Sequence, residues 1–215
     1  MSRLAGAEMQ DAELLSPEEL DVLREMMNIA SGRAAGTLSG IVNRHILMEL
    51  AQVAVLDRQG IFDFLEKEMG VIGSAVEQRF SGGLVGTSMM MMDYQSCAQL
   101  VELLGGEVFN GASQDLNEQS ILYEVGNVIL NSCVAMLGKQ TGRRMHFALP
   151  RMYYNLRGRA IAENLISPAD PNIYAIAMKS ALKVGDMIFQ IHILVFLLLP
   201  FDELRGIARR ALNAL

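Results

Sequence analysis

The sequence predicts an α+β fold made of two α-β-β-β-α halves, about residues 16–105 and 115–213. The halves are related by a pseudo-two-fold repeat and share one six-stranded sheet, with two long antiparallel helices packed on it. Three observations predict this. Segment 16–51 lines up without a gap on segment 115–150, an internal repeat of the kind that decides a whole architecture. In both copies apolar residues recur every three or four positions and then become short mixed runs, a helix followed by a strand. Each copy is followed by a hairpin signal, Gly82-Gly83 in the first and Val184-Gly185-Asp186 in the second.

The elements follow in order. Residues 1–15 stand ahead of the first half as an N-terminal extension. Ser16 with Glu19, and Asp115 with Glu118, fit the capping box in which two side chains satisfy each other's backbone donors. From the first cap, Leu20, Leu23, Met27, Ala30, Ala34 and Leu38 form one stripe. Leu122, Val125, Ile129, Cys133 and Met136 form its counterpart. Residues 45–56 and 144–156 are read as strands, and 60–70 and 159–166 as short helical or irregular crossovers. Ser74–Phe80 with Leu84–Met92, and Ile173–Leu182 with Met187–Leu199, are the hairpins. Residues 94–104 and 201–213 are the closing helices, and 105–114 is a short linker. A linker this short favours one domain over residues 1–215.

Composition removes several function classes. Hydrophobic residues make up 51% of the 215-residue chain and charged residues 20%, with a formal net charge of −6, so no broad basic face for nucleic acid is expected. The first twenty residues carry Asp11, Glu13, Glu18 and Glu19 and no apolar leader. The longest apolar run, Ile193 to Phe201, is interrupted by Pro200 and is too short to span a bilayer. A cytoplasmic protein without membrane insertion is therefore expected. Cys97 and Cys133 fall in apolar helices and are read as reduced core residues. His45, His146 and His192 lack ligand spacing, so no metal site is expected. Met89–Met92 are read as a buried strand. Gly82–Gly86 lacks the Lys of a phosphate-binding loop and is read as turn. Arg205, Arg209 and Arg210 are read as a solvated helix face.

On each long helix, three polar residues share a wedge opposite the apolar stripe: Asp21, Glu25 and Asn28 on the first, Ser120, Glu124 and Asn127 on the second. A Glu and an Asn three apart are neighbours on a helix surface and together offer a charge, an acceptor and a donor. Polar residues on an outer helix face are ordinary, so by themselves these imply an interaction face. Asn is nevertheless a poor helix former with no packing reason to recur at mid-helix. In this wedge Asn127 is expected to face solvent and pack against nothing.

Ser120-x3-Glu124-x2-Asn127-x22-Pro150 resembles the (Asp or Ser)-x3-Glu-x2-Asn-x22-Pro pattern of the CheC, CheX and FliY phosphatases, and LYEVGNVILN resembles their motif helix. The first half is similar, with Asp21, Glu25 and Asn28 in place, but Met27 replaces the usual Gly and Ala51 stands where Pro would be. The resemblance extends over about residues 16 to 213. Two motif-bearing halves are closer to CheC than to CheX, which keeps one such helix.

The resemblance implies hydrolysis of the aspartyl-phosphate of a CheY-like response regulator. The regulator supplies the phosphorylated Asp, Mg²⁺ and a Lys, and this chain needs no cofactor of its own. Asn127, and Asn28 in the first half, would hold the attacking water. Glu124 and Glu25 would pair with the regulator's Lys. Ser120, Asp21 and Pro150 complete the motif, and Pro150 is expected to set the entry of the following strand without touching the same atoms. A CheD-like protein is a further implied partner. The alternative is a non-catalytic interaction or regulatory protein of the chemotaxis or flagellar-switch system on the same fold.

Overall fold

Ser16 starts the first helix as its pattern predicts. Its hydroxyl accepts from the Glu19 amide at 3.3 Å, while the Glu19 carboxylate accepts from the Ser16 amide at 3.0 Å. Two amides left over at the helix start are thereby satisfied. Pro17 follows, where a missing N–H costs nothing. The helix, α1 (Pro17–Val42), stops at Asn43, whose φ of 52° is left-handed. In this computed structural model, residues 14–68, 71–108, 114–165 and 173–213 are described.

After α1 come β1 (Ile46–Leu56), α2 (Arg58–Asp63) with a π-helical turn (Phe64–Glu68), β2 (Val71–Gly82), β3 (Gly86–Met92) and α3 (Tyr94–Val108). The second long helix, α4 (Gln114–Lys139), is followed by β4 (Met145–Phe147), β5 (Arg151–Arg157), α5 (Gly158–Leu165), β6 (Ile173–Val184), β7 (Met187–Leu198) and α6 (Phe201–Leu212). The sheet is antiparallel, in the order β1-β6-β7-β3-β2, with β4 and β5 both paired to β2. The strands after α1 and α4 thus pair across the chain: β1 joins β6, and β5 joins β2.

The sheet separates two cores. On one face, α1, α3, α4 and α6 pack over Val76, Met90, Met92, Met178, Ile191 and Val195. On the other, α2, the π turn and α5 cover Ala75, Met89, Met91, Ala177, Leu194 and Phe196. Met89–Met92 alternate between these cores and are all buried, which explains why a central strand reads as an unbroken apolar run. Residues Ser120–Lys139 of α4 have the length and apolarity of a membrane span, with mean hydropathy 1.4, yet 61% of that stretch is buried inside the molecule. The core consumes its apolar surface.

Two expectations change, one cannot be compared within the described residues, and one is met in part. The single strand expected over 144–156 is two, β4 and β5, because Pro150 has no N–H to give to the ladder; among the described residues the sheet therefore has seven strands and not six. Helix α3 continues through Gly105 and Gly106 to Val108, into the expected linker, and 109–113 lie outside the described residues. The cap expected at Asp115 and Glu118 falls where side chains are not described. Arg209 and Arg210 are exposed, as expected of a solvated face, and Arg205 is half-buried; the Nε atoms of Arg205 and Arg209 donate to Glu19 Oε1 at 2.9 and 2.8 Å, and that of Arg210 donates to the Gln140 carbonyl at 2.6 Å. Glu19 is only 4% exposed, so the charge needs these partners.

Candidate functional site

Helix α4 lies unusually close to β2, and Gly126 is the reason. A Cβ at this position would stand 2.7 Å from Val76 Cβ and Cγ1, inside contact distance. Without one, the helix settles against the strand and its flank meets the sheet near the edge. Asn127, the next residue, is consequently half-buried. Its Oδ1 accepts from Gln78 Nε2 on β2 at 3.1 Å and from Asn131 Nδ2, one turn along α4, at 3.0 Å. This corrects the expectation of a solvent-facing Asn that packs against nothing. Helical angle alone puts Asn127 opposite the stripe, but the close approach of the sheet edge covers that flank.

Gln78 is nearly fully buried at 2% exposure, and its Nε2 also donates to the Ala148 carbonyl at 3.1 Å. That carbonyl lies in the gap between β4 and β5, two residues before Pro150, while the Ala148 amide still donates to Arg79 at 2.9 Å. The amide ends of Gln78 cannot be exchanged, because an oxygen in place of Nε2 would face the Ala148 carbonyl acceptor to acceptor. With Gln78 so oriented, the Asn127 oxygen must be the end that receives it. Both lone-pair directions of Oδ1 are taken, and Nδ2 is the end that makes neither bond.

Glu124 is exposed and shares one open groove with Ser120, Tyr123, Pro150, Met152 and Tyr154. Pro150 therefore lines the same groove as the motif carboxylate, just ahead of β5. Tyr154, 44% exposed, adds apolar surface to the groove. Beside the strand break, Glu77 is buried and accepts from the Tyr153 hydroxyl at 2.9 Å. Burial, together with this carboxylate, raises the Tyr153 hydroxyl above its ordinary value.

The first half is built differently. Asp21, Glu25 and Asn28 are all exposed, and Asp21 is paired with Arg24 at 2.6 Å. Met27, at 0% exposure, stands at the position that aligns with Gly126. Ala51 is exposed and β1 runs through it with one register shift between Leu50 and Gln52. The structure therefore brings Ser120, Glu124 and Pro150 to one groove, with Asn127 on α4 one turn beyond Glu124. It leaves Asp21, Glu25 and Asn28 as a surface row.

Burial pushes the Cys97 thiol up to about 11 and the Cys133 thiol up to about 12. Among the described residues no group of His, Cys, Asp and Glu side chains comes together as a metal site. Sequence reasoning missed Gln78, Asn131 and the Ala148 carbonyl. One signal was present: Gln78 stands between Val76 and Phe80 on the core-facing side of its strand, where a polar residue needs a partner.

No protein-family model matches the chain. The CheY-P phosphatase CheC of Bacillus subtilis is 26% identical over 171 residues, which covers 78% of this chain and 81% of CheC. The chain is similar to CheC over most of its length. The flagellar motor switch phosphatase FliY of the same organism is 24% identical over 153 residues, 70% of this chain but 39% of FliY. Among solved structures, Thermotoga maritima FliY has the same fold, with a TM-score of 0.68 at 20% identity over 93% of this chain and 98% of that one.

Proposed function

We propose that this protein hydrolyses the aspartyl-phosphate of a CheY-like response regulator, and that the second motif is the working site. The observation that carries the proposal is the Asn127 amide, held by its oxygen one helical turn from the exposed Glu124, whose groove Pro150 also lines. The likeness to a CheY-P phosphatase over four-fifths of that protein's length supports it.

The regulator brings the phosphorylated carboxylate, the Mg²⁺ that neutralises charge on the phosphoryl oxygens, and a Lys. What remains is to place a water in line with the leaving oxygen. Asn127 Nδ2 donates a hydrogen bond to one lone pair of that water and leaves the other to attack phosphorus. The new O–P bond forms as the bond to the aspartyl oxygen breaks. Inorganic phosphate and the free carboxylate result, with one proton passing to solvent. Glu124 pairs with the regulator's Lys and sets the depth to which Asn127 inserts. A hundredfold acceleration requires about 2.7 kcal/mol, which positioning alone can supply.

The test is phosphate release from a phosphorylated CheY-like regulator with and without the purified chain. Acceleration that vanishes in Asn127→Ala is the expected result. Binding of the phosphorylated regulator with no acceleration would favour the non-catalytic alternative. Whether a CheD-like protein modulates the activity is decided by adding one to the same assay.

A further inference from the structure

Asn127 has two hydrogen-bonding ends, and only a fixed amide presents the same end to every water. Two side chains outside the motif do the fixing. Gln78 Nε2 is held by the Ala148 carbonyl and donates to Asn127 Oδ1, and Asn131 Nδ2 donates to the same oxygen. An amide oxygen has two lone pairs, so the pair of donors occupies it and leaves Nδ2, with two hydrogens, as the group available to a water. We infer that Gln78 and Asn131 are positioning residues that clamp the Asn127 oxygen and so present its nitrogen to the attacking water, and that the first half lacks this clamp.

Segment 16–51 aligned on 115–150 sets Asn28 against Asn127, Met27 against Gly126 and Gly32 against Asn131. Strand register extends the match: Val76 pairs with Met152, and Met178 pairs with Val53, which the same alignment sets against Met152. Two residues along each strand, Gln78 corresponds to Ser180. Ser180 is fully buried and its hydroxyl has no partner among the described residues; it is too short to do what Gln78 does. The last part of the clamp is missing as well. Glu49, matched to Ala148, is in the regular ladder opposite Ala181, whereas the Ala148 carbonyl lies in the gap that Pro150 imposes. Met27 keeps α1 from the close approach that Gly126 permits α4. Every component that fixes Asn127 is therefore changed around Asn28.

The inference rests on the proposed hydrolysis for its catalytic meaning, and two measurements keep the failures apart. The first is saturation kinetics on Gln78→Met, which keeps the length and removes the donor, and on Asn131→Ala, which is half-buried and safer for the fold. Each is expected to lower kcat about fivefold or more with KM within about twofold, the signature of an interaction made in the transition state. Neither is expected to lower activity further when combined with Asn127→Ala, since residues acting through one group are not additive. Parental kcat in both variants, or an equal loss in the Asn127→Ala background, would overturn the clamp. The second measurement needs no activity: nitrogen-15 relaxation of side-chain amide signals in the full chain. Asn127 is expected to be as rigid as the backbone in the parent, mobile in Gln78→Met, and Asn28 mobile throughout. If Asn127 is equally rigid without Gln78, or mobile in the parent, the clamp is wrong. A parent that releases no phosphate yet passes this second test removes the proposed hydrolysis and leaves the clamp standing.

Discussion

Truncating Asn127 to alanine removes the oxygen that receives Gln78 and Asn131 and the nitrogen that makes neither bond. Gln78 keeps the Ala148 carbonyl as a partner, so the structural cost should be about 1 kcal/mol, that of an ordinary hydrogen bond. Phosphatase activity should fall at least tenfold, because the water loses its holder (about 1.4 kcal/mol or more). Denaturant unfolding of the same variant separates the two effects, and full activity in Asn127→Ala would end the assignment. Glu124 should behave differently. It is exposed, and in the proposed mechanism it docks the regulator's Lys, so Glu124→Gln should raise KM and leave kcat nearly intact. Added salt should raise the parental KM in the same way by screening the ion pair. Saturation curves showing a fall in kcat alone would mean that Glu124 takes part in the chemistry.

At the scale of elements, the distance between α4 and β2 decides whether a motif helix can work. Gly126→Ala places a methyl against Val76, an overpacking that should cost about 1–3 kcal/mol. It should also lower turnover by lifting Asn127 from Gln78. If Gly126→Ala loses stability but keeps parental turnover, close approach matters for packing only. The two motif helices can also be ranked. Asn28→Ala should cost less activity than Asn127→Ala, since α1 presents Asn28 from an exposed face over a continuous β1 strand. Equal losses in the two variants would show that the support beneath the second site is dispensable.

Across the whole molecule, the start of α1 is fastened to α6 by Glu19, which caps its own helix and receives Arg205 and Arg209 from the far end of the chain. Burial alone would raise the Glu19 carboxyl. The Ser16 amide and the two guanidinium groups outweigh burial and hold it below its ordinary value of 4.5. A folded value below the unfolded one stabilises the protein above about pH 4.5, and that stabilisation is lost as pH falls through the lowered folded value. At pH 7, Glu19→Ala should cost about 2 kcal/mol, the scale of hydrogen bonds to a charged group. The difference from the parent should narrow once the pH is well below 4.5. Urea midpoints at pH 7 and pH 3 check this, and an undiminished gap at pH 3 would mean that the carboxylate charge is not what stabilises the joint. With both thiols raised by burial, the parent should also resist thiol reagents at pH 8 until it is unfolded.

The order of helices and strands, the two hairpins, the Ser16 cap, the buried methionine strand and the spacing of Glu124 and Asn127 all depend on local period, turn chemistry and helical angle, and they are legible in the chain itself. What Asn127 touches is not legible in this way. Its partner Gln78 is 49 residues away, and Gln78's own anchor, Ala148, lies 70 residues from Gln78. Glu19 meets arginines 186 and 190 residues along. Such pairings depend on which strands are neighbours and on how closely a helix approaches a sheet. The partners of Asn127, and those of Glu19, escape a reading of the sequence for this one physical reason: a helical wheel gives a side chain's direction from its own axis, and only the packed neighbours decide whether water or protein lies there.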